Sequence, residues 1–375
     1  MRKLVTIFSA ALLLASCNQK ALEISVSNSA PFSREHQTVE ISWDSIKSRI
    51  NLTQGEQIVI LDNSGNQLPY QLITEGSENP TKLIFQTSLD SAQTKSFKLQ
   101  VGRPGIFTPK TFARFVPERK NDFAWENDRV AFRAYGPALK PIDGPSNGFD
   151  AWTKRGDSLI IDKWYYRQEV EGKDYHNDYG DGCDYYKVGR TLGAGAAAPF
   201  VDGSLILGEN YASYKILDNG PLRSTFELTY NKLFVQGDSV VEVRRVSIDA
   251  GSQLAKMEVH YQGAKPMDVA AGLAKRPQGD SVYVDNNHFF VAQQDVPTQE
   301  WGTTYLGLVS PTFFKQAGVM EGHLLATTPV DAGATATYYF GFGWSRWGFN
   351  SFQEWVDYLS KYSQELRSPI TVSIK

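Results

Sequence analysis

The side chains best suited to moving protons are concentrated between Asp174 and Arg190. There the chain reads Asp-Tyr-His-Asn-Asp-Tyr-Gly-Asp-Gly-Cys-Asp-Tyr-Tyr-Lys-Val-Gly-Arg. One histidine, four tyrosines, four aspartates, a lysine and an arginine fall in this stretch. Gly180, Gly182 and Gly189 interrupt any regular period, so a loop is expected. His176 is its centre, because imidazole titrates closest to neutral pH and can act as acid or base. The plain alternative is a solvated acidic loop whose tyrosines pack on the core beneath. Asp178, Asp181 and Asp184 also offer oxygen ligands of the kind calcium takes, although their pattern is not that of an EF-hand loop.

Other chemistries lack their residues. No Gly-rich loop ends in Lys-Ser/Thr and no dinucleotide fingerprint follows a strand, which disfavours phosphate chemistry, and no nucleotide partner is expected. No Gly-x-Ser-x-Gly elbow supports a serine hydrolase. The formal net charge is −3 with no basic run, which gives no reason to expect nucleic acid. Only Cys17 and Cys183 are present, so neither a disulfide framework nor a zinc site is expected, and Cys183 reads as incidental. The aromatic fraction, 13%, suits β-structure and the stacking of sugar rings.

The N-terminus reads as an export signal. Arg2 and Lys3 precede an apolar run from Leu4 to Leu14 that is too short for a bilayer span. Leu14-Ala15-Ser16-Cys17 resembles a bacterial lipobox, which makes residues 1–16 a signal peptide and Cys17 the lipidated residue. The expected location is the bacterial outer membrane, on its periplasmic or cell-surface face, with the membrane reached through a lipid anchor.

The elements that must position the central loop are mostly strands. After a linker at 17–21, residues 22–102 carry short strands at the spacing of a small immunoglobulin-like sandwich. Ile58–Leu61 followed by Asp62-Asn63-Ser64-Gly65-Asn66 signals a hairpin. Residues 103–121, with Pro104, Gly105 and Pro109, form a connector. From 122 to 375 long alternating segments, such as Val240–Ile248 and Lys256–Tyr261 around an Asp249–Ser252 turn, predict a broad antiparallel sheet. Ser351 and Glu354 form a capping box ahead of Phe352, Trp355, Val356, Leu359 and Tyr362, which predicts a C-terminal helix. The fold class is therefore mainly β.

Several motifs in the second half resemble a family. Trp125-Glu-Asn-Asp-Arg-Val-Ala-Phe-Arg133, Tyr135–Ala138, Ala151–Arg155, Asp162–Tyr165, Tyr175–Arg190 and Gly343–Ser345 resemble an uncharacterised-domain family of lipoproteins from bacterial polysaccharide-utilisation loci. That family is similar to galactose mutarotases and β-supersandwich polysaccharide lyases. One branch resembles an ulvan oligosaccharide dehydratase. The resemblance implies a galactose-mutarotase-like supersandwich over 122–375. It further implies a carbon–oxygen lyase that dehydrates the terminal uronate of an oligosaccharide without a required cofactor.

Such an elimination needs a cation to neutralise the uronate carboxylate, a base for the C5 proton and an acid for the departing oxygen. Arg190, Lys187 and Arg155 are candidates for the first role, His176 for the base, and Tyr179 or Tyr185 for the acid. Lys163, Tyr175, Arg276, His260 and His288 are further candidates for the substrate site, with Lys275 and His323 in reserve. Trp152, Trp164 and Trp344 could stack on sugar. His36 is expected to be exposed in the first domain. Three alternatives stay open: a chain-cutting polysaccharide lyase, a glycoside hydrolase drawing two carboxylates from Asp178, Asp181, Asp184 and Glu126, and a non-catalytic carbohydrate-binding lipoprotein.

Overall fold

The computed structural model describes residues 21–50, 52–53 and 55–375. The expected signal peptide, residues 1–16, and the expected lipidation site Cys17 lie outside the described residues. Among the described residues strands dominate, and the longest helix is Phe352–Arg367. Among the described residues no helix is long and apolar enough to cross a membrane.

The first unit is a sandwich of a five-stranded and a three-stranded sheet. Its core gathers Ile24, Val26, Val39, Ile60, Phe85 and Leu99, all nearly or wholly buried. The hairpin is present: Ile60 pairs with Leu68, and Asp62 Oδ1 accepts the N–H groups of Ser64 and Asn66. Pro69, which has no N–H to offer a ladder, follows at once, and Tyr70–Ile73 crosses to the other sheet. The C-terminal boundary differs from expectation. The strand Thr371–Ile374 returns to pair with Leu22–Ser27, placing Ile374 opposite Ile24, so the sandwich closes on both ends of the described chain.

The second unit is a two-layer β-supersandwich. One layer is a nine-stranded antiparallel sheet containing Arg223–Tyr230, Asp238–Asp249, Leu254–Gln262 and Thr335–Trp344 as neighbours. The other layer has two five-stranded groups. The first group starts at Thr111–Val116, earlier than the expected boundary, because that strand pairs with Asp122–Asn127. Ala131–Ala134 and Phe149–Lys154 follow in order. An isolated parallel bridge between Phe149 and Gly193 links it to the second group, around Ala194–Val201 and Met267–Ala274. Gly193 has φ +61°, and a Cβ there would lie 2.1 Å from the Phe149 carbonyl oxygen, so only glycine permits this approach.

Trp125, Phe132, Phe149, Phe226, Phe340 and Phe342 fill the space between the layers, with Trp125 and Phe132 stacked at 5.4 Å. Each fully buried aromatic contributes roughly 1.5–3 kcal/mol from transfer out of water. The predicted C-terminal helix packs Trp355 and Leu359 on the nine-stranded sheet, and the Ser351 hydroxyl caps the N–H of Glu354.

Candidate active site

The period-two alternation of three adjacent strands builds the site. Phe123, Trp125, Phe132, Ala134, Phe149 and Ala151 turn into the interlayer core. Their neighbours Asp122, Glu126, Arg133, Asp150, Trp152 and Lys154 therefore share the outer face. Register places Arg133 opposite Asp150 on one side and Ala124 on the other. This charged face is roofed by a short helix, Ile161–Glu169, and by the segment that follows it. Glu126 anchors the roof. Its carboxylate accepts the N–H groups of Ile160 and Ile161 and pairs with the wholly buried Lys154 at 2.8 Å.

Arg133 is the hub. Its Nη2 donates to Asp150 Oδ2 at 2.6 Å and to Asp184 Oδ2 at 2.9 Å, and Nη1 donates to Tyr175 Oη at 3.0 Å. Arg119 Nε donates to the same phenol oxygen at 3.1 Å, so two charge-assisted bonds converge on Tyr175. Asp122 Oδ2 stands 3.9 Å from Arg133 Nε. Three carboxyl groups thus surround one guanidinium in a buried setting, and full ionisation of all three is opposed. Burial, reinforced by the Asp150 charge, pushes Asp184 up to about 8. Burial likewise pushes Asp122 up to about 6 against the pull of Arg133.

His176 lies at the mouth of this cluster with its side chain about half exposed (48%). Its backbone N–H and its Nδ1 both meet Asp174 Oδ1, at 3.0 and 2.6 Å. The backbone bond, followed by the imidazole, holds the Asp174 carboxyl below its usual range. A carboxylate on Nδ1 fixes the tautomer that leaves Nε2 as the lone-pair nitrogen. Nε2 points back toward Asp184 Oδ2 at 3.6 Å, and the ring lies 4.8 Å from that of Tyr175. A half-exposed imidazole therefore sits against a carboxyl group whose proton affinity is raised by burial, which is the inventory for acid/base work.

The segment itself is a loop as expected, with Gly180, Gly182 and Gly189 at positive φ. Gly182 is pressed to the sheet edge, where a Cβ would lie 2.0 Å from the Thr153 carbonyl oxygen. The recess between Trp164, Tyr175, Tyr179 and Asp181 is narrow, with no room for a water molecule. His176 accordingly lies on an open surface and not in a closed pocket.

The structure redistributes the other candidates. Arg190 is turned to the carbonyls of Pro145, Leu207 and Gly208, so Arg133 and Arg119 are the guanidiniums at the cluster. Tyr185 stacks on Trp301 and bonds Thr304 Oγ1 at 2.6 Å, while Tyr179 lies beside Arg167; Tyr175 is the tyrosine in contact with His176. Lys187 is exposed and close enough for its charge to act on Asp184. Arg155 pairs with Asp178 and covers the Trp344 ring, and Lys163 and Arg167 both pair with Asp181.

Asp178, Asp181 and Asp184 are thus held by different cations and do not converge. Among the described residues no three His, Cys, Asp or Glu side chains could share a metal ion. The same pairings, with Glu126 on Lys154, leave no free carboxylate couple from the set considered for hydrolysis. Trp152 and Trp164 are buried and stacked on each other at 5.3 Å, and Trp344 is 2% exposed, so these rings serve packing and not sugar.

Arg276 grips Asp295 with both Nε and Nη2 at 2.8 Å and donates to the Lys187 carbonyl, which steadies the end of the segment. Lys275 pairs with Asp280. His260 lies on the outward face of the nine-stranded sheet, bonded to the Ala334 carbonyl, and His288 pairs with Asp285 in a turn beside the C-terminal helix. His323 is buried, with Nε2 accepting the Leu192 N–H, and burial lowers its pKa. Cys183 is buried and its thiol is pushed up to about 12 by burial, so it is no nucleophile near neutral pH.

Residues 26–372 match the family described as domain of unknown function DUF4861. The chain belongs to this family. A relative from Formosa agariphila, described as uncharacterized protein P7, is 30% identical over 390 residues, with 98% of each chain covered. Two solved structures from Enterococcus faecalis are similar at low identity. One is an alpha-mannosidase (10% identical, TM-score 0.46) and the other a glycosyl hydrolase family 38 protein (11%, TM-score 0.47). Each match covers 95% of this chain and 46% or 47% of the neighbour, so the chain spans about half the length of those structures.

Proposed function

We propose that the protein is a carbon–oxygen lyase that dehydrates the terminal uronate of an oligosaccharide, exported and tethered to the outer membrane through Cys17. The observation that carries this reading is the half-exposed His176, with Asp174 on Nδ1 and the Arg133–Asp184 pair behind Nε2. Nε2 removes the C5 proton. The C4–O bond breaks as the C4=C5 bond forms, and the imidazolium returns its proton to the departing hydroxyl, which leaves as water. One group then serves as base and acid, which suits a site where Tyr179 and Tyr185 point elsewhere. Lys187 and Arg119, whose charges both reach Asp184, supply positive charge for the uronate carboxylate.

The reading is supported by the loop chemistry and by the resemblance of the central motifs to a lyase-related family. Incubation with uronate oligosaccharides tests it. A conjugated double bond in the ultraviolet together with loss of one water per molecule supports dehydration. The same chromophore with chain cleavage supports a polysaccharide lyase, and cleavage without it means hydrolysis. Binding of an unchanged sugar would leave a carbohydrate-binding lipoprotein.

A further inference from the structure

A second region of the molecule has the dimensions of a ligand site. A cavity of about 580 Å³ opens where the N-terminal sandwich meets the outer face of the nine-stranded sheet and the C-terminal helix. Small-ligand sites typically occupy roughly 300–1,000 Å³. None of its lining residues belongs to the Asp174–Arg190 segment.

The floor of this cleft is a single cross-strand row. Thr225 pairs with Ser247, Ser247 with Lys256 and Lys256 with Tyr339, so four adjacent strands present three polar groups and one aromatic ring on one line. Tyr362 of the helix meets the Tyr339 ring edge-on at 5.4 Å and forms the side wall with Glu365. His36, exposed as expected, belongs to the roof.

Cationic and carboxylate side chains line this cleft in equal number, and several of them are paired. Arg223 is occupied by Asp249 and Glu40, and Lys256 lies 2.8 Å from Glu258. Such walls hold no net field to select an anion or a cation. They offer closely spaced donors and acceptors beside flat apolar rings, which is the surface a ring of hydroxyls with apolar C–H faces requires.

We propose that this cleft is a second saccharide site that takes a neutral oligosaccharide. It is separate from the His176 centre and independent of whether that centre turns over a uronate. Calorimetric titration of the full chain with neutral hexasaccharides of glucose, xylose, mannose and galactose tests it. At least one is expected to bind, with the same affinity in the His176→Ala chain and without competition from an oligogalacturonate. Tyr339→Ala should weaken that binding by about tenfold, the size of one aromatic contact. Lys256→Ala, a change at a half-exposed position that leaves the core untouched, should weaken it in the same direction. The proposal is overturned if none of the four sugars binds, if neither substitution changes the affinity, or if His176→Ala or the uronate abolishes binding.

Discussion

The carboxyl cluster around Arg133 makes a prediction about stability as a function of pH. Asp122 is shifted from 3.8 to about 6 by burial. Its pKa in the fold therefore lies above that in the unfolded chain, and the native state holds its proton more tightly. Stability from this group is complete below the unfolded value and is lost as pH rises through about 6. A shift of about 2 units corresponds to about 3 kcal/mol. Asp122→Asn removes the titration, while the amide oxygen can still accept the Gly136 N–H that Asp122 Oδ1 accepts at 2.7 Å.

Any cost of pointing an amide N–H at Arg133 is the same at every pH. Asp184, which shifts in the same direction, and His323, which shifts so as to favour the fold at higher pH, are present in both proteins and cancel in the difference. Urea unfolding of both proteins, followed by tryptophan fluorescence from about pH 4 to about pH 7, reads the result. The variant should gain up to about 3 kcal/mol relative to the wild type across that range. A difference that stays flat with pH would show that Asp122 ionises freely and that the cluster does not restrain its charge.

Other substitutions have equally definite outcomes. Asp174→Ala should lower turnover by roughly tenfold or more, less than removal of the imidazole, because His176 loses the acceptor that fixes its tautomer; steady-state kinetics check this. Trp152→Ala should cost about 3–5 kcal/mol in chemical denaturation, since the ring is fully buried against Trp164 and Tyr165. Glu126→Gln should cost about 3–5 kcal/mol by leaving Lys154 charged and buried without its partner. A chelator should leave the melting temperature unchanged to within about a degree, because Asp178, Asp181 and Asp184 are already engaged by side-chain cations.

The loop around His176 was legible in the sequence because glycines and proton-transfer groups are local signals. So were the Asp62 hairpin and the capped C-terminal helix, whose patterns span a few residues. The charged groups behind the loop were not. Arg133 and Asp150 sit in strands whose outward residues look like a solvent face, and only strand register brings them together with Asp184 across the sheet. The short helix that roofs them is fixed by Glu126, which lies 34 residues before Ile160, and so left no local cap to recognise. Trp152 and Trp164 have the composition of a sugar platform, but that roof buries them. Asp184 had a ligand-type spacing with Asp178 and Asp181, yet consecutive turns of the loop send the three carboxylates to different cations.

The most direct test of the central claim compares the wild-type chain with His176→Ala on uronate oligosaccharides, following ultraviolet absorbance and product mass. The wild type should form a double bond with loss of water. The variant, altered at a half-exposed position, should keep its near-ultraviolet circular dichroism and lose about 10²–10⁴-fold in rate. Wild-type turnover retained by the folded variant, or no unsaturated product from either protein, would contradict the account.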